Sequence, residues 1–207
     1  MAWASAKGVN TEIIYKHIGI NYDTCHFALQ YEDASTALKA LTDAGLRISK
    51  VHLSSALEID LTEPNSLDQI KQFDEPTYLH QVMINDGSGN IARFKDIDEA
   101  LNHKSQIANL KSAKARIHFH IPLHAEPKAP FSSTIQHTID TLHYLQQNPD
   151  TCAHLETETY TWGVLPDELQ APIEDQLTQE HLWVLQASLG GQEPGSEEHT
   201  CGGSCSH

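Results

Sequence analysis

Basic side chains are scarce in this chain. Lys and Arg number 13 against 28 Asp and Glu in 207 residues, which leaves a formal charge of −15. Phosphate backbones are held mainly by clustered Lys and Arg, so this balance argues against a nucleic-acid partner. Long apolar runs are also missing. Nothing approaches the ~20 residues that a membrane helix needs, and residues 1–10 lack the basic flank and apolar stretch of a secretory signal. The four cysteines do not form a disulfide framework for a chain of this size. Cys25 and Cys152 sit in apolar or strand-edge contexts, while Cys201 and Cys205 lie near the end. A cytoplasmic, reducing setting without membrane insertion is expected. Hydrophobic residues make up 39%, sparse but sufficient for a packed core, and the length suits one domain, with two small ones the alternative.

What the chain has in excess is histidine, 14 in all, several of them beside carboxylates in strand-like runs. Ile18 to Asp23 reads as a buried strand, and Asp33 to Ala44 as a helix that stops at Gly45. Ile48 to Ser54 returns as a strand. Tyr78 to Ile84 and Ile91 to Phe94 flank a Gly-rich turn and read as a hairpin. Asp96 and Glu99 have capping-box spacing for a helix through about Lys111. Arg116 to Pro122 alternates strictly, with Arg116, His118 and His120 on one face and Ile117, Phe119 and Ile121 on the other. Ser132 or Ser133 can cap a helix to Gln147, His154 to Tyr160 is the next strand, and Pro172 opens a final helix.

Strands that alternate with helices predict a parallel sheet with right-handed crossovers. Four βα units are expected, with the hairpin as an insertion, in a domain spanning residues 1–189. Residues 190–207 are rich in Gly, Ser and Glu and are expected to be a disordered tail. Two His and two Cys fall within its last nine residues, but no hydrophobic residues surround them to organise a zinc site.

Metal-capable groups recur near strand ends: Asp23 and His26, His52, His118 and His120, Glu156 and Glu158. In α/β folds the carboxyl ends of parallel strands converge on one face, where ligands bind. An oxygen and nitrogen set of this kind suits Mn, Zn, Fe or Co better than Ca. Each piece also has a plainer reading. Asp23 can simply cap the following turn, His52 can be a satisfied core residue, and His118 and His120 can be a solvated face. Two carboxylates on one buried strand face are costly unless paired or metal-bound, which tilts Glu156 and Glu158 toward function.

Gly19-Ile-Asn-Tyr-Asp-Thr-Cys-His26, Val51-His-Leu53 and Leu155-Glu-Thr157 together resemble the second half of the xylose-isomerase-like TIM barrels, which include sugar epimerases and isomerases and the endonuclease IV group. Val51-His-Leu-Ser-Ser-Ala-Leu57, Phe73-Asp-Glu-Pro-Thr-Tyr-Leu-His-Gln-Val82, His118-Phe-His-Ile-Pro122 and Glu158-Thr-Tyr-Thr-Trp162 resemble more closely the EboE-type metabolite-traffic proteins of that superfamily. The resemblance covers roughly residues 12 to 188. It implies a (β/α) TIM-barrel-type α/β fold, of which this chain holds only the C-terminal four units, a half barrel with an inserted hairpin.

The resemblance also implies site roles. Asp23, His52 and Glu156 match the family's metal-binding Asp, His and final Glu. Glu156 is also the surviving acid/base candidate, with Glu158 as the alternate. His26, His118 and His120 would contact substrate, or the two strand histidines would hold a second metal. The implied activity is that of a sugar (phosphate) isomerase or epimerase with a divalent cofactor. A non-catalytic metabolite-binding or traffic component and an endonuclease IV-like zinc phosphodiesterase are the alternatives. His118 stands where the endonucleases carry Asp, which counts against the last. The family's first ligand Glu, from the fourth strand, has no counterpart here, so an N-terminal half or a second copy would complete the barrel.

Overall fold

The computed structural model describes residues 2–62, 65–107, 113–165 and 169–189. Two short helices, α1 (Ala2–Ala6) and α2 (Thr11–His17), precede the first strand, β1 (Ile20–Asp23). Then follow α3 (Thr24–Leu29), α4 (Ala34–Asp43), β2 (Ile48–Leu53) and β3 (Ala56–Asp60). The middle of the chain holds α5 (Ser66–Gln69), a 3-10 turn (Ile70–Phe73), β4 (Val82–Asn85), β5 (Ile91–Phe94), α6 (Ile97–Asn102) and α7 (Lys104–Ile107). The last part runs through β6 (Lys114–His120), β7 (Phe131–Ser133), α8 (Ile135–Gln147), β8 (Leu155–Thr157) and α9 (Ile173–Leu189).

The fold is mixed α/β with two sheets. One is parallel, in the order β1-β2-β8, and the other antiparallel, in the order β5-β4-β6-β3-β7. Among the described residues no closed barrel forms. The expected four-strand parallel sheet has three strands, because β6 pairs antiparallel with β3 and β4 instead. The cause lies at Ser54 and Ser55, where β2 passes into β3 with no helix between them. That continuation carries the chain out of the parallel sheet and offers β6 an antiparallel partner. The hairpin β4–β5 is correspondingly the outer part of the second sheet, with β4 paired to β6, and not an insertion.

Each sheet has its own core. Leu57, Ile59, Val82, Ile84, Ile117, Phe119 and Ile121 pack with Ile70, Phe73 and Ile97 on the antiparallel sheet. Tyr22, Val51 and Leu53 pack with Leu38, Leu142, Leu145 and Trp183 on the parallel one. The alternation of β6 holds as read, with Ala115, Ile117 and Phe119 buried in the core and His118 and His120 on the opposite face. Gly19 admits the chain to β1, since a Cβ there would lie 2.7 Å from the Arg47 carbonyl.

The helix expected from Asp33 is α4, capped by Asp33 Oδ1, which accepts the Thr36 N–H at 2.8 Å. Elsewhere the caps shift. Ser132 and Ser133 belong to β7, and Thr134 precedes α8 without a side-chain capping bond. Glu99 reaches back to the Lys95 N–H at 2.6 Å, while Asp96 Oδ1 takes those of Ile97 and His80. The helix expected to Lys111 breaks into α6 and α7, and residues 108–112 lie outside the described residues. The strand expected over His154 to Tyr160 is ladder-paired only as Leu155–Thr157. The tail, 190–207 with Cys201 and Cys205, also lies outside the described residues. Among the described residues no helix is long and apolar enough to cross a membrane.

Candidate metal centre

The parallel ladder aligns Asp23 with His52, and His52 with Glu156. Cβ atoms in register across a sheet share a face, so three separated pieces of sequence deliver polar groups to one strand-end row. Asp23 has two tasks there. Its Oδ1 caps α3, accepting the His26 N–H at 3.2 Å and the Ser54 hydroxyl at 2.8 Å. Its Oδ2 faces the ring nitrogens, 3.7 Å from both His26 Nδ1 and His52 Nδ1. Ser54 is held in turn by Thr24, whose hydroxyl donates to the Ser54 carbonyl at 2.6 Å. The capping role of Asp23 is therefore carried by Oδ1, which leaves Oδ2 facing the two rings.

His52 lies between two glutamates. Its Nδ1 is 2.8 Å from Glu158 Oε2, and its Nε2 is 3.5 Å from Glu156 Oε2. Asp23, His52 and Glu158 each offer a ligand atom, and these lie within 4.8 Å of one another. Glu156 stands outside that group, exposed and paired with Lys50 at 2.8 Å. The resemblance gives Glu156 the ligand role and Glu158 the alternate one, whereas the geometry puts Glu158 beside Asp23. Strand β8 ends at Thr157, so the side chain one step past the ladder leans inward.

Electrostatics inside the group favour a cation. Burial pushes the Asp23 carboxyl up, but His26, a hydrogen bond shared with Glu158 and the Ser54 hydroxyl outweigh it and hold it below its ordinary value. Glu158 is raised, by burial first and then by the facing Asp23. Two carboxylates that share one proton form a place where a divalent ion can displace that proton. His52 Nδ1 is the ring nitrogen that faces both carboxylates, while its Nε2 is buried without a hydrogen bond on the Glu156 side. A mixed nitrogen and oxygen donor set of this kind fits Mn, Zn, Fe or Co.

The other three histidines adjoin this group. His26 Nε2 lies 2.9 Å from His118 Nε2, so one proton serves both rings. His120 is fully buried, its Nδ1 2.7 Å from the Glu158 carbonyl, which leaves its Nε2 without a partner. Burial, with the neighbouring His120 and His26, pushes His118 down to about 4. Burial also lowers His120. Both rings therefore stay neutral near pH 7 and can accept a proton or bind a metal. Cys25, Tyr160 and Lys50 belong to the surroundings and were not read as such from the sequence. Cys25 Sγ groups with His118 and His120, though burial and the nearby Asp23 and Glu158 charges hold its thiol protonated. The Tyr160 ring lies 4.5 Å from His120. For Cys25 the signal was its place two residues after Asp23, in the first turn of α3.

A cavity of about 540 Å³ opens beside the His26–His118 pair, with Gln30, Gln81 and Lys95 on its walls. Comparison of the chain with protein-family models, with curated proteins and with solved structures returned no match.

Proposed function

We propose that the chain is a metal-dependent protein of the sugar (phosphate) isomerase or epimerase type, with Asp23, His52 and Glu158 as the protein ligands. The observation that carries this is the convergence of those three groups at the carboxyl ends of three parallel strands. Such a donor set leaves coordination positions for substrate, and a bound divalent ion would supply Lewis-acid polarisation of a substrate oxygen. The chain's own groups do the rest. Lys95 and Gln81 present donors to an oxygen-rich substrate in the cavity. The proton between His26 Nε2 and His118 Nε2 lies on the wall of that cavity, and His118, neutral near pH 7, can take it or give it up. Glu156 is the carboxylate outside the ligand group and acts as acid/base once Lys50 releases it.

The fold that accompanies this reading is a xylose-isomerase-like barrel of the EboE-type branch, to which this chain would give the parallel strands β1, β2 and β8. An N-terminal half or a second copy would supply the remaining wall. Leu155 on the edge strand β8 and Leu182 and Leu185 on α9 are exposed apolar groups, which supports such a partner. The Lys50–Glu156 ion pair favours a second reading, metabolite binding without turnover, because it occupies the acid/base candidate Glu156.

The test has two arms. Asp23→Asn keeps the capping oxygen, and together with His52→Asn it should weaken Mn²⁺ or Co²⁺ binding by about 100-fold or more. Unchanged binding overturns the centre. In D₂O, the metal-loaded protein should place deuterium beside the carbonyl of a ketose or sugar phosphate. Binding of the sugar without exchange selects the traffic reading, and cleavage of an abasic-site duplex selects the phosphodiesterase.

A further inference from the structure

We propose that Asp74, His80 and Asp96 form a second divalent-cation site, structural in role, where the 3-10 turn, β4 and α6 meet. It shares no residue with the centre described above and stands whether or not that centre binds metal. One ligand atom from each of the three lies within 4.8 Å of the others. They come from three different junctions of the chain: Asp74 after the 3-10 turn, His80 ahead of β4, and Asp96 at the cap of α6.

His80 is the observation that asks for a ligand. Its side chain is 2% exposed, and its Nδ1 has no hydrogen-bond partner. Asp96 Oδ1 faces that nitrogen at 3.8 Å, too far for a hydrogen bond and suited to an ion between them. A buried polar nitrogen left alone is costly, and native structures rarely retain one. The ring is also held in place. It stacks on Phe119 with centroids 5.8 Å apart, and the His80 backbone N–H is tied to Asp96 Oδ1 at 3.1 Å.

On the far side, Glu75 Oε1 lies 3.6 Å from His80 Nε2. Glu75 is itself fixed by the Thr77 and Tyr78 N–H groups, both at 2.8 Å. A carboxylate on this side favours the tautomer with its proton on Nε2, which leaves Nδ1 free to ligate. Asp74 is exposed and closes the group from the solvent side, where water fills the open position. One nitrogen and two carboxylates favour Zn²⁺, Mn²⁺ or Co²⁺ over Ca²⁺. The ion would pin the segment between Asp74 and Gln81, which contributes Leu79 and Gln81 to the cavity wall beside His118. Gln81 also accepts the His118 N–H at 2.9 Å.

The experiment follows the histidine ring nitrogens of the full-length protein by ¹⁵N NMR during titration with Zn²⁺ alone. An Asp23→Asn/His52→Asn background keeps the first centre out of the reading. His80 Nδ1 should move to the position of a metal-bound nitrogen, and Asp74→Asn should weaken that transition by about tenfold or more. Asp74 is exposed, so this variant leaves the core intact, and a dispersed amide spectrum verifies it. His80 signals that do not move at saturating zinc overturn the site. So does a His80 transition that Asp74→Asn leaves unchanged.

Discussion

Glu58 on β3 and Glu180 on α9 are both buried carboxylates, at 6% and 0% exposure, one in each half of the molecule. Glu58 belongs to the antiparallel sheet, where its register partner across the ladder is Arg116 and Lys114 lies diagonal to it. Arg116 Nε donates at 2.8 Å and Lys114 Nζ at 2.7 Å, one to each oxygen. Burial pushes this carboxyl up, but the two cations outweigh it, and Glu58 stays below its ordinary value. Glu180 packs behind the parallel sheet and, among the described residues, has no Lys or Arg partner, only the minor influence of the adjacent His181. Its Oε1 accepts the Thr159 hydroxyl at 2.6 Å and the Leu123 N–H at 3.0 Å, while its Oε2 is buried without a hydrogen bond. Burial dominates there and raises the carboxyl. An antiparallel ladder brings long side chains directly opposite one another, so it can pair a buried charge. The Glu180 carboxyl on α9 meets only the Thr159 hydroxyl and the Leu123 N–H, so nothing there offsets the upward push of burial.

The largest effect that would break this contrast is at Glu58. Glu58→Gln leaves Arg116, only partly exposed, without its counter-charge, while Lys114 can turn to solvent. A loss of about 2 kcal/mol is expected, between the values for exposed and fully buried pairs. Denaturant unfolding at pH 7 measures it. The sign with pH follows from the depressed carboxyl. Its contribution is complete above 4.5, its ordinary value, and disappears as pH falls through the lower folded value. Wild type and variant should therefore converge in acid. A gap that stays constant down to pH 3 would mean that packing, not charge, holds Glu58.

The same two halves differ in how much of them the sequence discloses. In β6 the alternation marks both faces correctly, because burial selects one face of any strand whatever its neighbours. It says nothing of which strand lies alongside or in which direction, and the βα order suggested a parallel partner. The junction at Ser54 and Ser55 decided otherwise through buried hydroxyls, which carry no periodic signal. At the centre, Asp23 was legible because it ends an apolar run, and His52 because it lies near the end of a strand and matches the resembled family's His. Glu156 and Glu158 were not separable, since residues two apart on a strand share a face and only the point where pairing stops distinguishes them. Helix α3 was missed because six residues are too few to show a period. His80 stands in one of the family-like segments with Asp74 and Glu75, but no periodic pattern marked it as buried or brought Asp96 to it.

Glu180 supplies the next test, with the opposite sign. A raised carboxyl contributes stability that is complete below 4.5 and lost as pH rises through the folded value. Glu180→Gln keeps the acceptor at Oε1 and cannot ionise. Its amide also offers a donor one helical turn from Gln176, whose Oε1 is likewise buried and unpartnered. The variant should match wild type near pH 4 and exceed it by about 1 kcal/mol at pH 8. If wild type is the more stable at pH 8, the ionised form has a partner and the contrast with Glu58 fails.

An effect of similar size, but flat with pH, sits between the halves. Tyr31 follows α3 at φ 60°, a left-handed conformation that a non-glycine residue adopts only when its surroundings hold it there. Its hydroxyl donates to the Lys114 carbonyl at 2.7 Å, and the Arg116 guanidinium lies 4.1 Å from the ring centroid. The same arginine that neutralises Glu58 thus also tethers the helical layer of the parallel half to β6. Tyr31→Phe keeps the ring and the cation contact but removes the hydroxyl, so a loss of about 1 kcal/mol is expected. Burial raises the phenol to about 12, so this loss should be flat with pH across the range where Glu58 and Glu180 respond. In a double variant of Glu58→Gln with Tyr31→Leu, which also takes the ring away from the guanidinium, the penalties should fail to add, because both substitutions act on Arg116. Strict additivity in that double-mutant cycle would show that the link between the halves runs through the hydroxyl alone and that the arginine serves only its own sheet.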